Sequence, residues 1–151
     1  MLSKILFKFD DLDYFSVDLE KYLTSLKGVR TAKFNDKKEE LEVLYDSKII
    51  FLKTLYYEIK EYLKSSDIPL LLGFSKNETT NIKETIIYIP DICCEYCLKD
   101  KLEELLFLDG VIKVSTNYDD LLDANVFITY DETLNKEENL ASILAGEIVK
   151  L

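Results

Sequence analysis

The hydrophobic pattern of the first half of the chain changes period several times, which predicts six consecutive elements. Apolar and polar residues that alternate indicate strands, and apolar residues that recur every three or four positions indicate helices. The segments are a strand at 3–9, a helix at 15–26 that ends at Gly28, strands at 29–34 and 41–45, a helix at 48–63 and an edge strand at 68–72. The predicted order is therefore β-α-β-β-α-β.

The second half repeats this order after a polar stretch without periodicity, residues 74–83, which we interpret as a linker. The segments are strands at 85–89, 111–115, 124–130 and 147–151, with helices at 97–108 and from Asn135 to Gly146. Asn135 and Glu138 have the spacing of a capping box at the start of the last helix. We expect two domains, at residues 1–73 and 84–151.

The two halves can be aligned position by position. Gly28-Val29 corresponds to Gly110-Val111, which lies 82 positions later (110 − 28). Tyr45-Asp46 corresponds to Tyr130-Asp131, which lies 85 positions later (130 − 45), so the second hairpin loop is longer by three residues. The same fold is therefore predicted twice.

All three cysteines lie within five positions, at the predicted turn between a strand and a helix. Cys94 and Cys97 have C-x-x-C spacing, and Cys93 directly precedes them. Two thiols at this spacing can point into one small volume, which suits either one soft metal ion or one reversible disulfide. At the offset of 82, Leu12 and Phe15 occupy the equivalent positions of the first half. We therefore expect only the second half to bind metal.

Composition and charge narrow the classes of function. The formal net charge of −10 would repel the phosphates of nucleic acids, and it suits a basic protein partner or a cationic ligand better. The chain has no histidine, which excludes His-based acid–base catalysis and His-ligated zinc. No apolar stretch reaches the roughly 18 residues that a membrane helix needs. Three clustered cysteines and no signal-peptide pattern favour a reducing compartment, so we expect a cytoplasmic protein without enzymatic activity of its own.

At these residues the chain resembles a tandem of heavy-metal-associated domains, a family that includes copper chaperones and the N-terminal modules of metal-pumping P-type ATPases. The family signature is an apolar residue, any residue and C-x-x-C, followed by a helix and a Gly-Val pair. Ile92 supplies the apolar residue, Cys94 and Cys97 supply the motif, and Gly110-Val111 follows sixteen residues after Cys94. The resemblance implies an α+β fold of two tandem ferredoxin-like β-α-β-β-α-β domains, antiparallel sheets with helices on one face.

The same resemblance implies that the chain binds a soft metal ion and transfers it. Cu(I) is favoured because two thiolates suit this ion, and Zn(II) or Cd(II) are the alternatives. Cys94 and Cys97 would be the primary ligands and Cys93 a third one. The carboxylates that could complete the coordination are those of Asp91, Glu95 and Glu147. The partner would be a metal-transporting ATPase or a metallochaperone with a basic docking surface, and this segment would not insert into a membrane.

Two other functions stay open. A thiol–disulfide oxidoreductase also places C-x-x-C where a strand meets a helix, but thioredoxin-like enzymes carry a proline that faces the disulfide. The two prolines of this chain, Pro69 and Pro90, both precede the motif. The other alternative is a protein-interaction module that uses no metal, with the cysteines as small buried hydrophobic residues.

Overall fold

The computed structural model describes residues 2–9, 16–35, 40–62, 71–76, 81–90, 95–116 and 124–149. In chain order, the elements are β1 Leu2–Phe9, α1 Ser16–Ser25, β2 Val29–Asn35, β3 Glu40–Asp46, α2 Leu52–Tyr62, β4 Leu71–Lys76, β5 Ile82–Ile89, α3 Glu95–Leu106, β6 Val111–Thr116, β7 Ala124–Asp131, α4 Glu137–Leu144 and β8 Glu147–Ile148. The chain is thus α+β with antiparallel strand pairs, and it divides into two units, Met1–Leu70 and Leu71–Leu151. None of the described helices is long and apolar enough to cross a membrane.

In the first unit, three strands pair in the order β2-β3-β1, and both pairs are antiparallel. The predicted alternation in β1 and β3 becomes an alternation of buried and more exposed side chains. The ring of Phe7 in β1 lies 5.6 Å from the ring of Tyr56 in α2, so this helix packs on the strand. The fully buried aliphatic residues of the unit are Ile5, Leu19, Leu23, Leu41, Val43, Leu55 and Ile59.

In the second unit, five strands pair in the order β4-β6-β7-β5-β8, again antiparallel throughout. The strand β5 pairs with β7 along its full length and with β8 near its end. One face of the sheet is buried, with α3 packed against β4 and β6 and α4 packed against β5 and β8. Ile87, Val126 and Val114 belong to this buried face. The core of the unit therefore lies between one sheet face and the two helices.

The glycines of the two aligned Gly-Val pairs adopt similar backbone conformations in both units. Gly28 has φ of 100° and Gly110 has φ of 86°, values that favour glycine because it lacks a Cβ atom. The carbonyl of Gly28 accepts a hydrogen bond from the backbone N–H of Asp46, and that of Gly110 accepts one from Asp131, both at 2.7 Å. The internal repeat is therefore present in hydrogen bonding as well as in sequence.

The strand β4 begins and ends later than the sequence predicts. The expected edge strand at 68–72 was assigned to the first repeat, whereas β4 spans Leu71–Lys76 and pairs with β6 of the second unit, from Gly73↔Ser115 to Ser75↔Lys113. The expected linker at 74–83 contains the end of β4 and the start of β5. A local hydrophobic pattern predicts that a strand forms, but the strand's partner depends on residues distant in sequence. The domain boundaries at 73 and 84 stay a prediction.

The start of α4 lacks the capping box that Asn135 and Glu138 suggest. The N-cap residue is Lys136, which forms no side-chain capping hydrogen bond. The Oδ1 atom of Asn135 instead accepts hydrogen bonds from the backbone N–H of Lys136 at 3.0 Å and from the side chain of Asn139 at 2.7 Å. The helix therefore begins one residue later than the capping-box spacing indicates.

The end of α4 also differs, because the left-handed residue is Ala145 and not Gly146. Ala145 has φ of 52°, and its backbone N–H together with that of Gly146 bonds the last turn of the helix. A Cβ atom on Gly146 would lie 2.7 Å from the carbonyl oxygen of Tyr88 and 2.7 Å from Cγ2 of Ile87. Gly146 is therefore required for close approach to β5, and the left-handed conformation falls on its neighbour.

Candidate metal centre

The candidate centre begins where the strand β5 of the second unit ends. Thr85, Ile87 and Ile89 are buried and alternate along β5, so one side of this strand faces the core up to its last residue. Pro90 follows and, having no backbone N–H, cannot extend the ladder. The next four residues, which include Asp91, Cys93 and Cys94, lie outside the described residues, so their roles as ligands stay predictions.

Cys97 is the cysteine that the structure describes, and it lies in the first turn of α3. Its side chain is partly exposed, whereas its neighbour Leu98 is only 2% exposed and Leu102 is fully buried. Cys97 therefore lies at the border of the apolar stripe of α3 and is not a core residue. The backbone N–H groups and the dipole at a helix N-terminus favour a thiolate over a thiol. Glu95 is the first residue of the same helix, and its side chain lies outside the described part of the chain.

A lysine one helical turn after Cys97 connects α3 to the end of α4. The Nζ atom of Lys101 donates a hydrogen bond to the backbone carbonyl of Leu144 at 2.7 Å. Leu144 is the last residue of α4, where backbone carbonyls lack partners within the helix. The bond holds the turn between α4 and β8 beside the first half of α3. The sequence pattern does not reveal this role of Lys101, because its partner Leu144 lies in another helix.

Glu147 lies at the end of the sheet where β5 leads into the cysteine motif. It opens β8 directly opposite Tyr88, two residues before Pro90, so the chain does return to the end of β5 as the resemblance implies. Directly opposite residues share one face of a sheet, and Tyr88 lies on the face away from the buried Ile87 and Ile89. Glu147 is exposed on that face, whereas α3 packs on the other one. Its role as a ligand stays a prediction.

Within the described ranges, no group of three or more Cys, Asp or Glu side chains is close enough to hold a metal ion. Of the six predicted donors, only Cys97 and Glu147 have described side chains, and they belong to elements at the same end of the unit.

The far end of α3 is held by a lysine from β4. The Nζ atom of Lys76 donates a hydrogen bond to the backbone carbonyl of Leu108 at 3.2 Å and lies 5.6 Å from the ring centre of Phe74. Burial lowers the pKa of Lys76 to about 8, and the negative charge of Asp109 opposes that shift. Lys101 therefore joins the middle of α3 to the end of α4, and Lys76 bonds the turn that follows α3.

The net charge is distributed unevenly between the two units. Residues 1–70 contain 12 basic and 13 acidic side chains, which gives −1, whereas residues 71–151 contain 7 and 16, which gives −9. The unit that carries the cysteines therefore accounts for almost all of the net negative charge of the chain. Asp100 and Glu104 on α3 and Glu138 on α4 are exposed members of this set.

No protein-family model and no curated protein matches the chain. Among solved structures, the chain is similar to the N-terminal soluble domains of Bacillus subtilis CopA, with 14% identity, a TM-score of 0.43, and 98% of this chain and 92% of that chain covered. It is also similar to the water-soluble region of the P-type ATPase CopA from Bacillus subtilis, with 17% identity, a TM-score of 0.41 and coverage of 98% and 90%.

A proposed monooxygenase from Fusobacterium nucleatum is similar at 11% identity and a TM-score of 0.30, with 99% of this chain and 92% of that chain covered. All three TM-scores are below 0.5, and the named proteins differ in function. Similarity of this degree therefore does not decide between functions, and the case for this chain depends on its own residues.

Proposed function

We propose that the chain binds one soft metal ion through Cys94 and Cys97 and passes it to a second protein, with Cu(I) favoured over Zn(II) or Cd(II). The observation that carries this proposal is Cys97, a partly exposed thiol in the first turn of α3, the helix that follows β5. The helix N-terminus favours the thiolate, which is the form that binds metals. Soft sulfur ligands in turn favour soft ions.

The expected number of ligands supports Cu(I) over Zn(II). Two thiolates suffice for Cu(I) in near-linear geometry, whereas Zn(II) in proteins takes four ligands. A zinc site would need Cys93 and a carboxylate from Asp91, Glu95 or Glu147 in addition. Low coordination also leaves room for the thiols of a second protein to take the ion stepwise, which suits transfer better than permanent storage.

The charge of the second unit supports a basic partner. Its net charge of −9, against −1 for the first unit, places the attraction on the same unit as the thiols. Complementary charge accelerates encounter and orients the two proteins before transfer. We propose that the partner is a metallochaperone or a metal-transporting ATPase with a basic docking surface, and that this chain catalyses no reaction of its own in the cytoplasm.

Elemental analysis and metal titration test this proposal. The full chain is purified under reducing conditions, analysed for bound metals, stripped with a chelator and titrated with Cu(I) and Zn(II) against chromophoric competitors. We expect tight Cu(I) binding and weaker Zn(II) binding, and we expect neither in the Cys94→Ser/Cys97→Ser variant. A chain that binds neither ion would contradict the proposal, and efficient reduction of insulin disulfides by that chain would favour the oxidoreductase instead.

A further inference from the structure

The sheet of the second unit has a face that none of its described helices covers. Six side chains on it line one hollow of about 310 Å³. They form two rows across the strands β5, β7 and β6, first Glu84, Thr129 and Lys113, then Ile86, Phe127 and Ser115. We call these six residues the open face. Phe127 at its centre is 40% exposed, and Glu84 and Lys113 at its two sides are also exposed.

The two charges of the open face lie on either side of Thr129, in the row next to Phe127. Glu84 and Lys113 each lie one strand away from Thr129, so their backbones are about 9.5 Å apart, which is two strand spacings. Among the residues that the structure describes, neither side chain has an ion-pair partner. The open face therefore presents a negative charge on one side of Phe127 and a positive charge on the other.

This charge arrangement is complementary to itself. A two-fold axis parallel to β7 turns a second copy so that the two open faces meet and the β5 side of one copy faces the β6 side of the other. Glu84 then lies over Lys113 of the second copy, Lys113 lies over Glu84 of the second copy, and the two Phe127 rings meet at the axis. Such reciprocal contacts define an isologous interface.

We propose that the open face pairs with the open face of a second copy of this chain, forming a symmetric dimer. Packed sheets lie about 10 Å apart with strands roughly aligned, which brings the opposing charges within reach of each other. The strands β5 and β7 have eight residues and are about 26 Å long, β6 has six, and three strands span about 14 Å, so each open face offers about 350 Å². Stable interfaces bury about 800 Å² per partner, so the dimer is weak, with a Kd in the micromolar range or above.

Sedimentation velocity of the full chain tests the dimer, in reducing buffer with a chelator so that no metal ion bridges two copies. We expect a dimer whose fraction rises with concentration across the micromolar range. Glu84→Lys and Lys113→Glu each place like charges opposite one another, and each should raise the Kd by about tenfold or more. Glu104→Lys makes the same charge change on the exposed side of α3 and should leave the Kd unchanged.

Charge reversal provides the strictest arm of the test. The combined Glu84→Lys/Lys113→Glu variant restores opposite charges at both contacts and should recover the wild-type Kd. A mixture of the two single variants should form a mixed dimer more tightly than either variant alone. A chain that stays monomeric throughout the range overturns the proposal. So does a dimer that neither single variant weakens, or a combined variant that stays as weak as the single ones. Metal binding is measured separately, so failure here leaves the proposed function untouched.

Discussion

The two units share a turn that defines their backbone, and they differ in the residues that could perform chemistry. In both units the backbone N–H of the aspartate that ends the third strand of the repeat donates a hydrogen bond to the glycine turn at 2.7 Å. The Oδ1 atom of Asp46 also accepts a hydrogen bond from the backbone N–H of Lys48, and that of Asp131 accepts one from Thr133, both at 2.9 Å. The equivalent hydrogen bonds therefore have the same lengths in the two units, as expected for a repeated scaffold.

The differences are concentrated at the turn where the first strand of each repeat meets its first helix. The sequence register pairs Cys94 with Leu12 and Cys97 with Phe15, so one repeat has thiols where the other has apolar side chains. The second unit also carries a net charge of −9 against −1. The comparison teaches that a repeated scaffold does not imply a repeated function, since function depends on a few positions on that scaffold.

Removal of one thiol from the second repeat should have the largest effect. We expect Cys94→Ser or Cys97→Ser to abolish tight Cu(I) binding, because a serine hydroxyl is a poor ligand for a soft ion. Cys93→Ser should weaken binding by less than tenfold, about 1.4 kcal/mol, since adjacent side chains in extended backbone point in opposite directions. Competition with a chromophoric Cu(I) chelator measures all three variants.

A loss from Cys93→Ser as large as the other two would change the assignment. It would indicate a three-thiolate site and would favour zinc or cadmium over Cu(I), with Glu95 or Glu147 as the fourth ligand. The Glu147→Gln variant tests whether Glu147 is that fourth ligand. We expect this variant to keep its Cu(I) affinity, because Glu147 is exposed on the face away from α3.

The glycine turns should respond equally in the two units. Gly28→Ala and Gly110→Ala each force a Cβ atom into a left-handed conformation, 2.8 Å from Ile50 in one unit and 2.7 Å from Leu134 in the other. We expect each to lower the free energy of unfolding by about 2–4 kcal/mol, from backbone strain together with crowding. Urea unfolding measures the loss, with Ser25→Ala on the exposed end of α1 as a control. A large loss at one glycine only would show that the two turns are not equivalent.

The sequence predicted the helices, most strands and the glycine turns because their signals are local. Hydrophobic period and the positive φ of Gly28 and Gly110 depend on residues within a few positions. The partner of β4 could not be predicted, because pairing of Gly73 with Ser115 joins residues about 40 positions apart. The left-handed conformation of Ala145 was not predicted for a similar reason. The neighbouring Gly146 packs closely against β5, which is distant in sequence, and the left-handed conformation falls on Ala145. For the site, the sequence identified the thiols but not Lys101, whose partner carbonyl at Leu144 belongs to another helix.

Lys76, which lies in β4 of the second unit, should make stability depend on pH. The pKa of Lys76 is about 8 in the folded chain, against 10.5 for an ordinary lysine side chain such as that of the unfolded chain. As the pH rises, the folded state therefore releases this proton before the unfolded state does. Between these values the unfolded state binds more protons, and stability rises with pH; below about 8 both states are protonated and the contribution is constant. We expect Lys76→Met to remove about 1–2 kcal/mol of this rise.

Urea unfolding near neutral pH and again about two pH units higher measures the rise, as the difference between wild type and Lys76→Met. Lys53→Met serves as the matched control, because Lys53 is exposed on α2. A difference between wild type and Lys76→Met that stays constant with pH would contradict the buried, bonded state of Lys76.

The number of Cu(I) ions that each chain retains tests the difference between the two repeats most directly. The full chain is loaded with excess Cu(I) under reducing conditions, desalted and analysed for copper and protein, beside the Cys94→Ser/Cys97→Ser variant. The account predicts one ion per wild-type chain and none in the variant, because the first repeat has Leu12 and Phe15 where the thiols would be. Two ions per wild-type chain, or one ion retained by the variant, would contradict it.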